Sequence, residues 1–265
     1  MTDTNGPLII IGGHEDKEGD RAILAEVARR VGGGRLVIAT VASRKPEGYF
    51  DAYREALAPL GVTDLVELYL DSRDDAFDPA QGALIDGAAG VFFSGGDQQR
   101  IADMIRGTPV EQELRGLRAR GGVIAGTSAG ASMMGATMMV GGASEQSHRI
   151  GDLQMTEGLG LIDGVIIDQH FAERGRIGRL LGAVAAHPEA IGIGIDEDTA
   201  IVVQDGGFSV IGDGAVTIVD ASGASLPDRG ASGTLSIRNV RLHLLSEGSV
   251  FDLAGRIVDA QAAAA

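Results

Sequence analysis

Ser128 lies in the stretch AGTSAGASMM (residues 125–134), where Gly126, Ser128 and Gly130 spell Gly-x-Ser-x-Gly. Alone, that spacing fits either a nucleophilic serine on a sharp strand-to-helix turn or a small residue where a strand packs closely on a helix. The neighbours favour the nucleophile. VIAG before the serine is strand-like, and AGASMM after it can start a helix. Gly126, Ala129 and Gly130 are small enough for a turn that would clash with larger side chains. Amide N–H groups at the start of a helix can stabilise an oxyanion.

A serine nucleophile needs a base, and the chain has five histidines. His14 follows the first strand in IGGHEDK, His148 lies in a polar connection, His187 reads as a helix C-cap in AAHPEA, and His243 sits in the strand-like RLHLL. His170, in VIIDQHFAERGR, falls just past the carboxyl end of a strand, where sites of open parallel sheets collect. The third group should be a carboxylate that orients the imidazole. GIGIDEDTA offers Asp196, Glu197 and Asp198 at another strand end, with strand alternation separating Glu197 from its neighbours. Glu145, in the connection after the serine, is the competing acid. Gly95 and Gly96 in SGGDQ can bring main-chain N–H close to a substrate oxygen, beside that of Ala129.

Two other stretches carry charge or glycine. GGHED (12–16) lacks both G-x-G-x-x-G and the P-loop Lys-Ser/Thr, so no nucleotide cofactor is expected. Arg174, Arg176 and Arg179 crowd behind His170; with a helix beginning near Glu173, Arg176 and Arg179 share a face. Such a cluster in an acidic chain suggests a substrate bearing carboxylates.

The elements needed to position these groups read as α/β: a three-layer, mostly parallel sheet with helices on both faces. Strands are expected at PLIIIGG, RLVIATVAS, DLVELYL, GVFFSGG, VIAGTS and GVIIDQHF. Helices are expected at 20–33, YFDAYREALAPLG, PAQGALIDGA, 110–122, AGASMMGATMM and GRIGRLLGAVAAHP. From Ile191 the texture becomes β-rich, with DGG and GDG marking hairpins that close the sheet. Residues 220–234 read as a polar loop, and 261–265 as a frayed tail of a single 1–265 catalytic domain.

The bulk numbers bound the function. A net charge of −15 argues against nucleic acid and anionic membranes as partners. The absence of cysteine excludes disulfides, thiolate metal sites and a cysteine nucleophile. No apolar run approaches the roughly 18–20 residues of a membrane span, and no secretion signal is visible, so a cytoplasmic protein is expected.

The ordered set IIIGGHEDK, FFSGGDQQRI, IAGTSAGASMM, IDQHFAERGRIGRL, GIGIDEDTAIVV and LSIRNVRLHLLSEGSVFDL resembles the cyanophycinase-type serine peptidases, whose family also contains aspartyl dipeptidase (peptidase E). The resemblance spans nearly the whole chain. It implies a fold like the class I glutamine amidotransferases, and a Ser–His–Glu triad on Ser128, His170 and Glu197. Substrate-binding positions are implied at Gln98, Asp168, Gln169, Arg174, Arg176 and Arg179, with Asp168 meeting guanidinium groups and the arginines gripping carboxylates. The implied substrate is cyanophycin, a poly-aspartate with arginine on each β-carboxyl, cut to β-aspartyl-arginine dipeptides. A homodimer is implied, and no metal or other cofactor is. A peptidase of short Asp-containing peptides and a non-catalytic binding protein of the same fold are the alternatives.

Overall fold

The computed structural model describes residues 5–142, 153–225, 228–229 and 234–259. Strand and helix alternate through β1 (Leu8–Ile11), α1 (Ala22–Val31), β2 (Leu36–Ala39), α2 (Tyr49–Leu57), β3 (Leu65–Leu68), α3 (Pro79–Ile85) and β4 (Gly90–Phe93). Next come α4 (Gln98–Ile105), α5 (Pro109–Ala119), β5 (Val123–Thr127) and a short α6 (Ala129–Ser132). An antiparallel pair, β6 (Thr137–Gly142) and β7 (Leu153–Glu157), precedes β8 (Val165–Gln169), α7 (Ile177–Ala186) and β9 (Ile191–Ile195). The remaining elements are strands: β10 (Thr199–Gln204), β11 (Gly207–Gly212), β12 (Val216–Asp220), β13 (Asp228–Arg229), β14 (Leu235–Ser236), β15 (Arg241–Leu245), β16 (Val250–Asp252) and β17 (Ile257–Asp259).

The large sheet has the order β17-β16-β11-β10-β1-β5-β4-β2-β3. Its β1-β5-β4-β2-β3 half is parallel and its other half antiparallel. A second sheet, β15-β12-β9-β8, takes two strands from the expected central sheet; β8 and β9 run parallel within it. Strand β1 has neighbours on both sides and helices over both faces, so its LIII run is apolar throughout. Burying each of its isoleucine side chains stabilises the fold by roughly 1.5–3 kcal/mol.

The predicted β10–β11 hairpin turns at Asp205 and Gly206, both with positive φ, as a two-residue turn of matching twist requires. Residues 221–225 leave β12 as a turn, and β13, inside the stretch expected as a polar loop, pairs with β14 just beyond it. The tail at 261–265 lies outside the described residues.

Two local expectations fail. AGASMMGATMM is helical only to Ser132, because the Met133 and Met134 carbonyls accept from the N–H groups of Leu159 (2.7 Å) and Leu161 (2.8 Å) instead of continuing a helix. Thr137 onward then pairs with β7 as a strand. Conversely, helix α4 follows the SGGD turn unread; Asp97 caps it, its Oδ1 accepting from the N–H of Gln99 at 2.9 Å. Among the described residues, no helix is long and apolar enough to cross a membrane.

Candidate active site

Register brings the site together. Ile11 lies opposite Thr127 and Phe93 opposite Gly126, so the loops after β1, β4 and β5 leave the sheet side by side. Gln169 lies opposite Ile195, so the loops after β8 and β9 do the same in the second sheet. The glycine pair after β1 joins the two groups. The Gly12 carbonyl accepts from the His170 N–H at 2.8 Å, and the Gly13 carbonyl from the Asp198 N–H at 2.8 Å. Gly13 has φ +118°, and a Cβ there would stand 2.3 Å from the His170 ring. The GGHED stretch therefore has a role that its lack of a phosphate-loop pattern concealed.

Ser128 sits at φ 53° and ψ −109°, a conformation that costs of order 1–3 kcal/mol and persists only where neighbours enforce it. Its own N–H enforces it, donating to the Ile11 carbonyl at 3.0 Å. The flanking glycines meet a steric need: a Cβ at Gly126 would stand 2.3 Å from the Gly130 carbonyl oxygen, and one at Gly130 2.6 Å from that of Phe93. Because the Ser128 N–H is engaged, the N–H beside its side chain left for a ligand is that of Ala129, which as the first residue of α6 has no acceptor within the helix. Gly95 passes directly beside Ser128, its position for a Cβ lying 3.4 Å from the Ser128 Cβ. Gly96 instead turns toward Ala42 with φ +145°.

The Ser128 Oγ stands 2.9 Å from His170 Nε2, and His170 Nδ1 stands 2.6 Å from Glu197 Oε1. His170 is buried, which pushes its pKa below the ordinary imidazole value; the Glu197 hydrogen bond pulls the other way without overcoming burial and the positive charge of Arg174. A neutral imidazole with a free lone pair is the state that a general base needs. The neighbouring acids serve the backbone: Asp196 accepts from the Ala172 and Ala215 N–H groups (3.0 and 3.1 Å), and Asp198 from that of Asp16 (2.8 Å). Glu145 and His148 lie outside the described residues. His187 caps α7, and His243 lies in β15.

The supposed substrate cluster divides. Asp168 is 0% exposed, and Arg179 grips its carboxylate from two nitrogens while Arg176 Nη1 lies 3.2 Å away. Asp168 is therefore closed to a substrate guanidinium, and the buried Arg176 to a substrate carboxylate. Helix α7 starts at Ile177, so Arg176 precedes the helix and does not share a helical face with Arg179. The Arg176 guanidinium also bonds the Gln169 carbonyl and side-chain oxygens, and the latter lies 3.5 Å from Ser128 Oγ. Gln98, at the start of α4, donates to the Met139 carbonyl at 2.7 Å and ties β6 to the SGGD turn. Arg174 is exposed.

The other wall of the site carries no motif in the sequence. A cleft of about 570 Å³ in front of Ser128 and His170 is lined by His14, Glu15, Asp16, Lys17, Glu18, Tyr49, Tyr53, Gly95 and Gly96. The Glu15 carboxylate accepts from Lys17 Nζ, Tyr53 Oη and Thr127 Oγ1, each at 2.6 Å. Burial raises its pKa, but the Lys17 charge and these hydrogen bonds outweigh burial and hold it below the usual carboxylate value. A larger cleft, about 770 Å³, is lined by Arg73, Arg106, Arg115 and Glu157 and contains none of Ser128, His170 and Glu197.

The sequence signature of peptidase family S51 matches residues 8–211. The chain belongs to peptidase family S51. As a member of that family it is a serine-type peptidase, a hydrolase. It is 41% identical over 263 residues to a cyanophycinase from Trichormus variabilis, covering 96% of this chain and 88% of that relative. A cyanophycinase from Geminocystis herdmanii is 39% identical over 252 residues, covering 92% and 93%. The crystal structure of a peptidase from an acI-B1 actinobacterium shares the S51 chain's fold, with a TM-score of 0.70 over 94% of this chain and 97% of that one at 24% identity.

Proposed function

We propose that this peptidase is a cyanophycinase and that Ser128, His170 and Glu197 are its triad. The observation that carries the mechanism is the continuous chain from Ser128 Oγ through the His170 ring to Glu197, at 2.9 and 2.6 Å, opening onto a cleft. The likeness to cyanophycinases across more than nine-tenths of the chain carries the substrate. His170 Nε2 takes the Ser128 proton as Oγ attacks the carbonyl carbon of an aspartyl peptide bond. Glu197 holds the Nδ1 proton and stabilises the imidazolium. The N–H groups of Ala129 and the Gly95–Gly96 turn receive the oxyanion. His170 then gives its proton to the departing amine, and a water, deprotonated by the same ring, releases the acyl group from Ser128.

The cleft suits a zwitterionic aspartyl-arginine unit. Lys17 offers a cation to carboxylates, while Asp16 and Glu18 offer anions to guanidinium groups. The exposed Arg174 supplies a second cation beside His170. Arg176, Arg179 and Asp168 act from beneath, by fixing Gln169 next to the nucleophile.

Purified protein supplied with insoluble cyanophycin should release β-aspartyl-arginine dipeptides, and Ser128→Ala should lower turnover by roughly 10⁶-fold with unchanged thermal melting. Undiminished hydrolysis by that variant would remove the triad assignment. Faster cleavage of free Asp-X dipeptides than of polymer would redirect the substrate.

A further inference from the structure

His14 has no part in the mechanism, yet it stands at the edge of the triad. One donor atom each from His14, His170 and Glu197 lies within 4.8 Å of the other two. We propose that these residues form a site for a divalent transition-metal ion such as zinc, and that its occupancy switches hydrolysis off.

The geometry is close to what such an ion needs. His14 Nδ1 is 3.5 Å from Glu197 Oε2, near the roughly 3.3 Å separating two ligands about 2.0–2.1 Å from a tetrahedral zinc. The His14 and His170 rings stand edge to face, with centroids 5.1 Å apart and planes at 87°. Two imidazoles and a carboxylate are a donor set that zinc accepts, with water completing the fourth position. The three residues sit on separate loops after β1, β8 and β9, and the glycine pair already bonds those loops together. Little ordering cost therefore remains for the ion to meet. His14 is 71% exposed, so the ion has an open approach from solvent. The chain's net charge of −15 raises the local concentration of cations.

Inhibition follows from which electrons are used. A ring nitrogen of His170 that donates its lone pair to the ion cannot also do its work in the triad. At Nε2 the ion takes the lone pair that receives the Ser128 proton. At Nδ1 it takes the place of the hydrogen bond to Glu197, and the ring's single proton then sits on Nε2, which has no lone pair left for the Ser128 proton. Either mode removes the base, with no change of oxidation state.

The test separates binding from turnover. Calorimetric titration of Ser128→Ala with zinc chloride, which needs no activity, should show one ion per chain. Adding His14→Ala should weaken that binding by roughly tenfold or more, since losing even an outer-shell partner costs about that much. Cobalt(II) should give the intense visible bands of a tetrahedral site, absent from the His14→Ala protein. In the active enzyme, zinc should inhibit hydrolysis and EDTA restore it. His14→Ala, compared with its own metal-free rate, should need roughly tenfold or more zinc for equal inhibition. Equal affinity with and without His14, or a cobalt spectrum of octahedral weakness, would overturn the site. Because the binding arm needs no turnover, it stands even if the cyanophycin reading fails.

Discussion

Two carboxylates face the same cleft and are treated oppositely. Glu197 is 28% exposed and holds the His170 ring, with His14 beside it. Glu15 is 3% exposed and accepts from an ammonium and two hydroxyls. A carboxylate with a single strong imidazole partner orients that ring and answers its change of charge. One saturated by three donors does neither; it locks the β1 loop to β5 and α2. Position beside a nucleophile therefore does not by itself assign a chemical role, whereas the inventory of partners does.

Glu197→Gln should break the first half of that contrast with the largest effect. The amide keeps the shape but presents the wrong group to one ring tautomer, so kcat should fall by roughly 10³–10⁴-fold, about 4–5 kcal/mol of barrier. Melting should hardly change, because the side chain is partly solvated. The acid limb of kcat/KM reports His170 in the free enzyme. In the wild type it should lie below the ordinary imidazole value of about 6.5, since burial disfavours the charged ring. Without the carboxylate that pulls this pKa up, the limb should move lower still. A limb that moves upward would show that Glu197 does not face the ring in solution.

Glu15→Ala should break the other half, through stability. Removing the buried anion strands the Tyr53 and Thr127 hydroxyls and leaves Lys17 without its ion pair. The loss should be about 3 kcal/mol, at the lower end for a broken buried pair because Lys17 is one-third exposed. Urea unfolding at neutral pH measures it. A loss of activity with no loss of stability would instead make Glu15 part of the chemistry.

The same contrast explains what the sequence made legible. The elbow was readable because its requirement is local: Gly126, Ser128 and Gly130 satisfy a steric condition within a few residues. His170 and Glu197 were readable as strand-end residues, although physical reasoning left the acid open between several carboxylates until the backbone claimed Asp196 and Asp198. Glu15 was not readable, because its partners Tyr53 and Thr127 lie 38 and 112 residues away. Gly13 was hidden for the same reason: its neighbour is the ring of His170. The burial of Asp168 and Arg176 was not readable, because charge in a sequence does not say whether it is compensated. The failed helix after Ser132 belongs here too, since its carbonyls are captured by a segment some 26 residues downstream.

Tyr53→Phe tests the saturated carboxylate most finely. Burial and the adjacent Glu15 charge hold the phenol far above its usual pKa, so it stays protonated and donates. The phenylalanine keeps the ring packing on Phe92, 4.6 Å between centroids, and removes only that donor. The expected cost at pH 7 is about 1 kcal/mol, the scale of one hydrogen bond. Its pH dependence carries the sign. The pKa of Glu15 is depressed in the folded state, so its contribution is present above the unfolded-state value and is lost as pH falls through the folded value. Losing the Tyr53 donor moves the folded value back toward the unfolded one, shrinking that contribution. The stability difference between wild type and Tyr53→Phe should therefore narrow as pH drops below about 4.5, as the carboxylate becomes protonated in both. A difference that stays constant down to the acid transition would mean that the hydroxyl serves something other than the Glu15 charge.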